Sequence, residues 1–313
     1  MLKEISRVAV PSPIEQHDIE MGRDRKLIIW SNRAKPSSIE SRGVILLAPG
    51  FVRKMTHLSH LALYLTQAGF DVYRYDPINH VGLSSGTVRE FLMTSGLESM
   101  ESAISWLKEI QGHSRVGIVA TSLSARLAYR LVGKNDQDVD FLITGVGVVN
   151  LQVSLTEIFG EDYLSFLEED LPEYVKFENN EIRAASFVRD CHINNWATIK
   201  STIHDIRSAS VPICSISGTD DLWVKYGDVE KALRFASHKD SMLISAVGGK
   251  HDVALNPSLA RLFLLELTRM AIRLSEKTGG RETDYTEPSY QHLLAQSLYE
   301  KRLYRTKLKE LEK

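Results

Sequence analysis

Three residues, Ser122, Asp221 and His251, have the types and the order along the chain that acyl transfer requires. A serine hydroxyl is a poor nucleophile until a base takes its proton, and the base needs a third group to orient it. Ser122 follows the apolar, β-branched run Val116-Gly117-Ile118-Val119-Ala120, which suits a buried strand. After it, Leu123, Leu127, Ala128 and Leu131 recur at helical spacing. A strand that turns into a helix through one serine is a nucleophile elbow: the turn lifts the hydroxyl clear of the sheet and aims a helix N-terminus at developing negative charge. The usual spelling is Gly-x-Ser-x-Gly, because strand and helix cross closely there. This chain has Ala120-Thr121-Ser122-Leu123-Ser124, with the next smallest residues at the crowded positions. Taken alone, the segment would also suit an ordinary strand end.

The acid and the base should sit on loops after later strands. After the strand over 211–217 comes Gly218-Thr219-Asp220-Asp221-Leu222-Trp223-Val224, and after the strand over 242–247 comes Gly248-Gly249-Lys250-His251-Asp252. The shape Gly-x-x-Asp-x-x-Val selects Asp221 over Asp220, which would face solvent or cap the turn. Either aspartate could instead only form an Asx-turn. His251 is one of ten histidines, distinguished by its place after the last strand. An imidazole with an unperturbed pKa of about 6.5 can take and return a proton near neutrality. Two backbone N–H groups should form the oxyanion hole: that of Leu123, and that of Phe51 beside Gly50 in the loop after Ala48.

The elements that must hold these loops alternate. Residues 8–33 read as a hairpin turning at Met21-Gly22-Arg23-Asp24. Strands over 43–48, 71–76, 116–120, 141–146, 211–217 and 242–247 alternate with helical stretches after Phe51, at about 95–110, after Ser122, near 226–237 and over 257–275. This predicts an α/β fold of α/β-hydrolase type, with a mostly parallel central sheet and helices on both faces. The chain reads as a single domain, 1–313. From about 150 to 209 the rhythm breaks into an insertion of short helices, either a lid over the site or a packing subdomain. A charged helical tail over about 289–313 follows a turn-rich link.

Composition narrows the partners. The 313 residues are 43% hydrophobic and 25% charged with a net charge of −2, which argues against nucleic acid. No apolar run reaches the roughly 20 residues of a membrane helix, and the first residues lack a signal-peptide core. Two cysteines, Cys191 and Cys214, rule out a disulfide framework and fit a cytoplasmic location. No His/Cys spacing suggests a metal site, and no cofactor is expected. His57-Leu58-Ser59-His60 and Cys191-His192 read as structural or surface residues. The tail from Tyr299 carries Lys301, Arg302, Arg305, Lys307, Lys309 and Lys313 against Glu300, Glu310 and Glu312. It reads as a solvated amphipathic helix, with docking of an acidic carrier protein as the alternative.

With these residues placed, the chain resembles the acyl-transferase family of bacterial luminescence systems, the myristoyl-acyl-carrier-protein thioesterases, nearly end to end. The resemblance is carried by the run from Asp76 to Gly86, by Ser122-Leu123-Ser124-Ala125-Arg126, and by the run from Phe141 to Leu151. Arg189-Asp190-Cys191, Trp223-Val224-Lys225, His251-Asp252 and Glu287-Pro288-Ser289 add to it. The family's triad falls on Ser122, Asp221 and His251. A further serine near its active site falls on Ser84, a pocket candidate whose plainer role is to cap its own loop. The resemblance implies cleavage of a long-chain acyl-carrier-protein or acyl-CoA thioester through an acyl-serine. The acyl group would pass to water or to an associated fatty-acid reductase that feeds aldehyde to luciferase. Departures are Pro77 for serine, Asn79 for histidine, Thr121 for alanine, and Gly218-Thr219 for asparagines. A carboxylesterase, a thioesterase of another fatty-acid or polyketide pathway, and a non-catalytic binding protein of the same fold remain as alternatives.

Overall fold

A computed structural model of the chain describes residues 12–22, 24–34, 41–134, 136–275 and 285–311. Its strands are β1 (Glu15–Glu20), β2 (Lys26–Asn32), β3 (Val44–Ala48), β4 (Asp71–Asp76), β5 (Val116–Thr121), β6 (Val139–Gly145), β7 (Tyr174–Phe177), β8 (Asn180–Arg183), β9 (Ile213–Gly218) and β10 (Met242–Ala246). All but β7 and β8 form one sheet in the order β1-β2-β4-β3-β5-β6-β9-β10. The β1–β2 and β2–β4 pairs are antiparallel, and every pair from β4 across to β10 is parallel. Residues 8–11 and Arg23 of the expected hairpin, and the tail residues 280–284 and 312–313, lie outside the described residues.

Side chains of a strand alternate between faces, so a strand covered on both sides must be apolar throughout. On β3, Leu46 and Ala48 enter a core shared with the helices Met93–Glu109 and Leu123–Lys134. Ile45 and Leu47 enter the other core, with Ser59–Gln67 and Pro257–Ser275. Each fully buried Leu or Ile contributes about 1.5–3 kcal/mol. The central strands are therefore the rigid part of the molecule, and their C-terminal ends carry the loops of interest.

Between β6 and β9 the chain leaves the sheet. The helices Leu151–Phe159, Ala184–Ile193 and Ile199–Ser208 lie here, together with an antiparallel hairpin of β7 and β8. The sequence predicts short helices only; the hairpin corrects this. Val175 and Phe177 are buried while Lys176 between them is exposed, a period of two over four residues, with Glu178 turning the chain at φ +53°. This cap insertion is tied to the body by the buried Arg126 of the helix after Ser122. Its Nη1 donates to Asp205 at 2.7 Å and its Nε to the Trp196 carbonyl at 3.2 Å.

The C-terminal helix Tyr290–Leu311 is more than a solvated helix. It packs on Ser59–Gln67 and buries Ala295, Gln296, Glu300 and Tyr304. Glu300, counted above among surface charges, accepts both guanidinium arms of Arg74 at 2.6 and 2.8 Å, with both side chains essentially unexposed. A two-pronged pairing balances both charges where water cannot, while Arg74 Nε has no hydrogen-bond partner among the described residues.

Candidate active site

Ser122 leaves β5 with φ +52°, a backbone region that costs a non-glycine residue on the order of 1–3 kcal/mol. The neighbouring strand holds it there: the Ser122 N–H donates to the Gly145 carbonyl at 3.0 Å, and the Ser122 carbonyl accepts from Val148 N–H at 3.0 Å. Small residues are required where the chains cross. A Cβ at Gly50 would lie 3.0 Å from Ser122 Cβ, so the loop after β3 passes directly against the serine.

The loops after β9 and β10 meet beside it. A Cβ on Gly218 would fall 2.1 Å from the Gly249 carbonyl oxygen, and Asp220 N–H donates to that carbonyl at 3.0 Å. Thr219, one of the departures in the acid loop, accepts from Gly248 N–H at 2.9 Å and so joins the two loops by its side chain. Asp221 is buried and Asp220 exposed, which separates the two aspartates. Asp221 Oδ1 accepts from Trp223 and Val224 N–H at 2.9 and 3.0 Å, leaving Oδ2 for His251 Nδ1 at 2.8 Å. A carboxylate only accepts, so Nδ1 carries the ring proton and Nε2 presents its lone pair. Nε2 lies 2.8 Å from Ser122 Oγ. The Trp223 ring centroid lies 4.7 Å from that of the imidazole.

The structure thus brings Ser122, His251 and Asp221 into one hydrogen-bonded chain. Phe51 and Leu123 flank the serine, and all but Asp221 line one cavity of about 340 Å³. Neither the Phe51 nor the Leu123 N–H donates to another group among the described residues. The rest of the lining is mostly apolar, and part of it comes from the cap insertion. Leu151, Ser154, Leu155 and Ile158 present one helix face to it, and the hairpin adds Val175, Phe177 and Ile182. At the rim, Arg53 pairs with Glu178 through two hydrogen bonds of 2.6 and 2.9 Å, joining the loop after β3 to the hairpin. That pairing holds the Glu178 carboxyl below the usual carboxylate range.

Ser84 takes the plainer of its two expected roles, and its place as a pocket candidate is corrected. Its hydroxyl accepts from Ile28 N–H at 2.8 Å and donates to the Asp76 carbonyl, so it closes the end of the β2–β4 ladder and does not line the cavity. His57, read as structural or surface, does line it, and burial lowers its pKa. Two further residues carry roles that the sequence reading missed. Ser124 donates to the Pro49 carbonyl, and His80, whose pKa burial pushes down to about 4, accepts from Val52 N–H at 2.9 Å. Among the described residues no cluster of three or more His, Cys, Asp or Glu side chains could hold a metal ion. No helix among them is long and apolar enough to cross a membrane.

The sequence profile of the acyl transferase family matches residues 12–310. The chain belongs to that family. An acyl transferase of Shewanella hanedai is 38% identical to this one over 287 residues, covering 92% of each chain. That of Photobacterium phosphoreum is 37% identical over 93% of this chain and 94% of its own. Among solved structures, Est1E from Butyrivibrio proteoclasticus, with ferulic acid bound, superposes on this chain with a TM-score of 0.65. It is 16% identical, and the match covers 82% of this chain and 99% of that one. The Pyrococcus furiosus esterase Pf2001 gives 0.63 at 14% identity, over 88% and 96%. At such identities the likeness shows the fold, which is that of the α/β-hydrolases.

Proposed function

We propose that this acyl transferase cleaves a long-chain acyl thioester, carried on acyl-carrier protein or coenzyme A, through an acyl-Ser122 intermediate. The observation that carries the reading is the chain Ser122–His251–Asp221 opening onto a cavity of mostly apolar lining. His251 Nε2 takes the hydroxyl proton as Ser122 Oγ attacks the thioester carbonyl. The resulting oxyanion accepts from the N–H groups of Leu123 and Phe51, each worth about 10²–10³ in rate. As the carbonyl re-forms, the C–S bond breaks and the His251 imidazolium gives its proton to the departing thiolate, which leaves as the thiol. The acyl group then leaves Ser122 for water or another acceptor by the same steps in reverse.

The cavity supports a long acyl chain. Its volume falls in the range of about 300–1,000 Å³ found for small-molecule sites. Each methylene buried in it contributes about 0.8 kcal/mol. The resemblance to the luminescence family favours a tetradecanoyl chain on a carrier protein, with transfer toward a fatty-acid reductase in aldehyde synthesis and a cytoplasmic location. A carboxylesterase is the second reading, favoured by the fold shared with the Pyrococcus furiosus esterase.

Steady-state hydrolysis of tetradecanoyl-CoA and of a short aryl ester, by the protein and by Ser122→Ala, tests the proposal. It expects the thioester to be the better substrate and the variant to lose at least about 10³-fold in kcat on it. An active Ser122→Ala enzyme contradicts the mechanism, and preference for the short ester favours the second reading.

A further inference from the structure

The donor assigned to Phe51 depends on a loop conformation that the loop's own residues disfavour. Val52, the next residue, stands at φ +52°, where the Cβ of a branched side chain crowds the backbone. Such a conformation persists only where the surroundings over-determine it. Here two clamps do so. His80 Nε2 accepts the Val52 N–H at 2.9 Å, with its ring held 5.4 Å from that of Phe51 and 5.5 Å from that of Phe91. Burial keeps that imidazole neutral, and the Val52 N–H directed at Nε2 makes that nitrogen the acceptor and puts the ring proton on Nδ1.

Three residues further on, the backbone of Met55 is held from both sides. Its N–H donates to Asp76 Oδ1 at 2.7 Å, and its carbonyl accepts from Arg74 Nη1 at 3.1 Å. Both holding groups are completed by the C-terminal helix. The Tyr304 hydroxyl donates to Asp76 Oδ2 at 2.7 Å, and Glu300 pairs with Arg74. None of these side chains lines the cavity, so none can touch substrate.

We propose that His80 is a positioning residue for the Phe51 N–H, and that the Asp76–Tyr304 pair fixes the far end of the same loop. The C-terminal helix thereby helps to set the oxyanion hole from outside the cavity. This inference rests on the acyl-Ser122 mechanism proposed above. A loop freed at either clamp still forms the cavity, but its donor no longer meets the developing oxyanion. The loss should therefore fall on kcat and spare KM.

The test uses the full chain with three substitutions. His80→Phe keeps the ring and removes the acceptor, His80→Gln restores an acceptor, and Tyr304→Phe removes only the donor to Asp76. Each is assayed with tetradecanoyl-CoA, and its inhibition constant is measured for a long-chain alkyl trifluoromethyl ketone. Ser122 Oγ adds to the ketone carbonyl and leaves an oxyanion in the hole. His80→Phe is expected to lower kcat about thirty-fold and Tyr304→Phe about ten-fold, with KM within about two-fold. The ketone inhibition constant should rise by the same factors, and His80→Gln should recover most of the loss. Unchanged kcat, a kcat loss without a matching rise in the ketone constant, or a His80→Gln enzyme as impaired as His80→Phe overturns the inference. Should His80→Phe fail to fold, Tyr304→Phe decides alone by the same two readouts. Intact mass of the unmutated protein after mixing with thioester separates the two levels. Absence of an acyl adduct on Ser122 removes the mechanism and this inference together, whereas an adduct alongside unaffected variants removes the inference only.

Discussion

The Ser124 hydroxyl donates to the carbonyl of Pro49, joining the helix after the nucleophile to the strand end before the Gly50–Phe51 turn. This is the position where the common elbow spelling has glycine, and it is buried here. Thr121, which stands in place of the family's alanine, places its Oγ1 3.4 Å from the Ala48 carbonyl. Thr121 and Ser124 therefore both reach toward the same strand end. They couple the position of the nucleophile to that of the proposed oxyanion donor.

Removing that coupling should cost rate more than stability. Ser124→Ala leaves the Pro49 carbonyl without its partner, a loss of about 1–3 kcal/mol, well short of unfolding. In Ser124→Ala, kcat for tetradecanoyl-CoA should fall about ten-fold while KM stays within about two-fold. Urea unfolding alongside steady-state kinetics checks both numbers, and an unchanged kcat would contradict the coupling.

Asp221→Asn separates orientation from folding. The asparagine carbonyl oxygen can keep the two backbone bonds to Trp223 and Val224, so the loop should hold. Its amide then donates to His251 Nδ1 and forces the proton onto Nε2, which can no longer accept from Ser122. We expect kcat to fall on the order of 10⁴-fold with the melting temperature nearly unchanged. A loss under ten-fold would mean that Asp221 does not set the imidazole.

Ser154 lies on the same cavity-facing helix stripe as Leu151, Leu155 and Ile158, and it is buried. Ser154→Phe adds a ring where the acyl chain is proposed to run, so the preferred chain should shorten. Competing decanoyl-, dodecanoyl- and tetradecanoyl-CoA in one mixture reads this directly. An unaltered preference would place the acyl chain elsewhere in the cavity.

His80 gives a pH signature. Its folded pKa of about 4 lies below the unfolded value of about 6.5. Across that window the unfolded chain holds a proton that the folded one does not. The contribution to stability is therefore full above the unfolded value and falls as pH drops toward the folded one. At about 1.4 kcal/mol per unit this is on the order of 3 kcal/mol. Asp76 acts with the opposite sign, because burial raises its pKa and the folded state protonates first. The difference between the unmutated protein and His80→Gln isolates the imidazole. In urea unfolding from pH 7 to pH 4, the unmutated protein should lose more stability than the variant, and parallel curves would refute this.

What the sequence disclosed and what it concealed divide along sequence separation. Ser122, Asp221 and His251 each follow directly on a strand with an unmistakable apolar run, so their loops could be placed at one end of a parallel sheet. The preference for Asp221 over Asp220 came from spacing, and only burial separates the two physically. Ser84 shows where such reasoning stops. The direction of a loop hydroxyl depends on Ile28, 56 positions away, and no local pattern records it. Glu300 reads as one more charge on a polar helix because its partner, Arg74, is 226 positions distant. The β7–β8 hairpin was concealed for a different reason, since four alternating residues are too few to stand out from an irregular stretch.

The central claim is that Ser122 carries the acyl group, and intact-protein mass spectrometry after rapid mixing with tetradecanoyl-CoA tests it most directly. One added tetradecanoyl mass is expected, localised by peptide mapping to Ser122 and absent from Ser122→Ala. Turnover with no adduct on Ser122 at any mixing time, or an adduct that persists in Ser122→Ala, would contradict it.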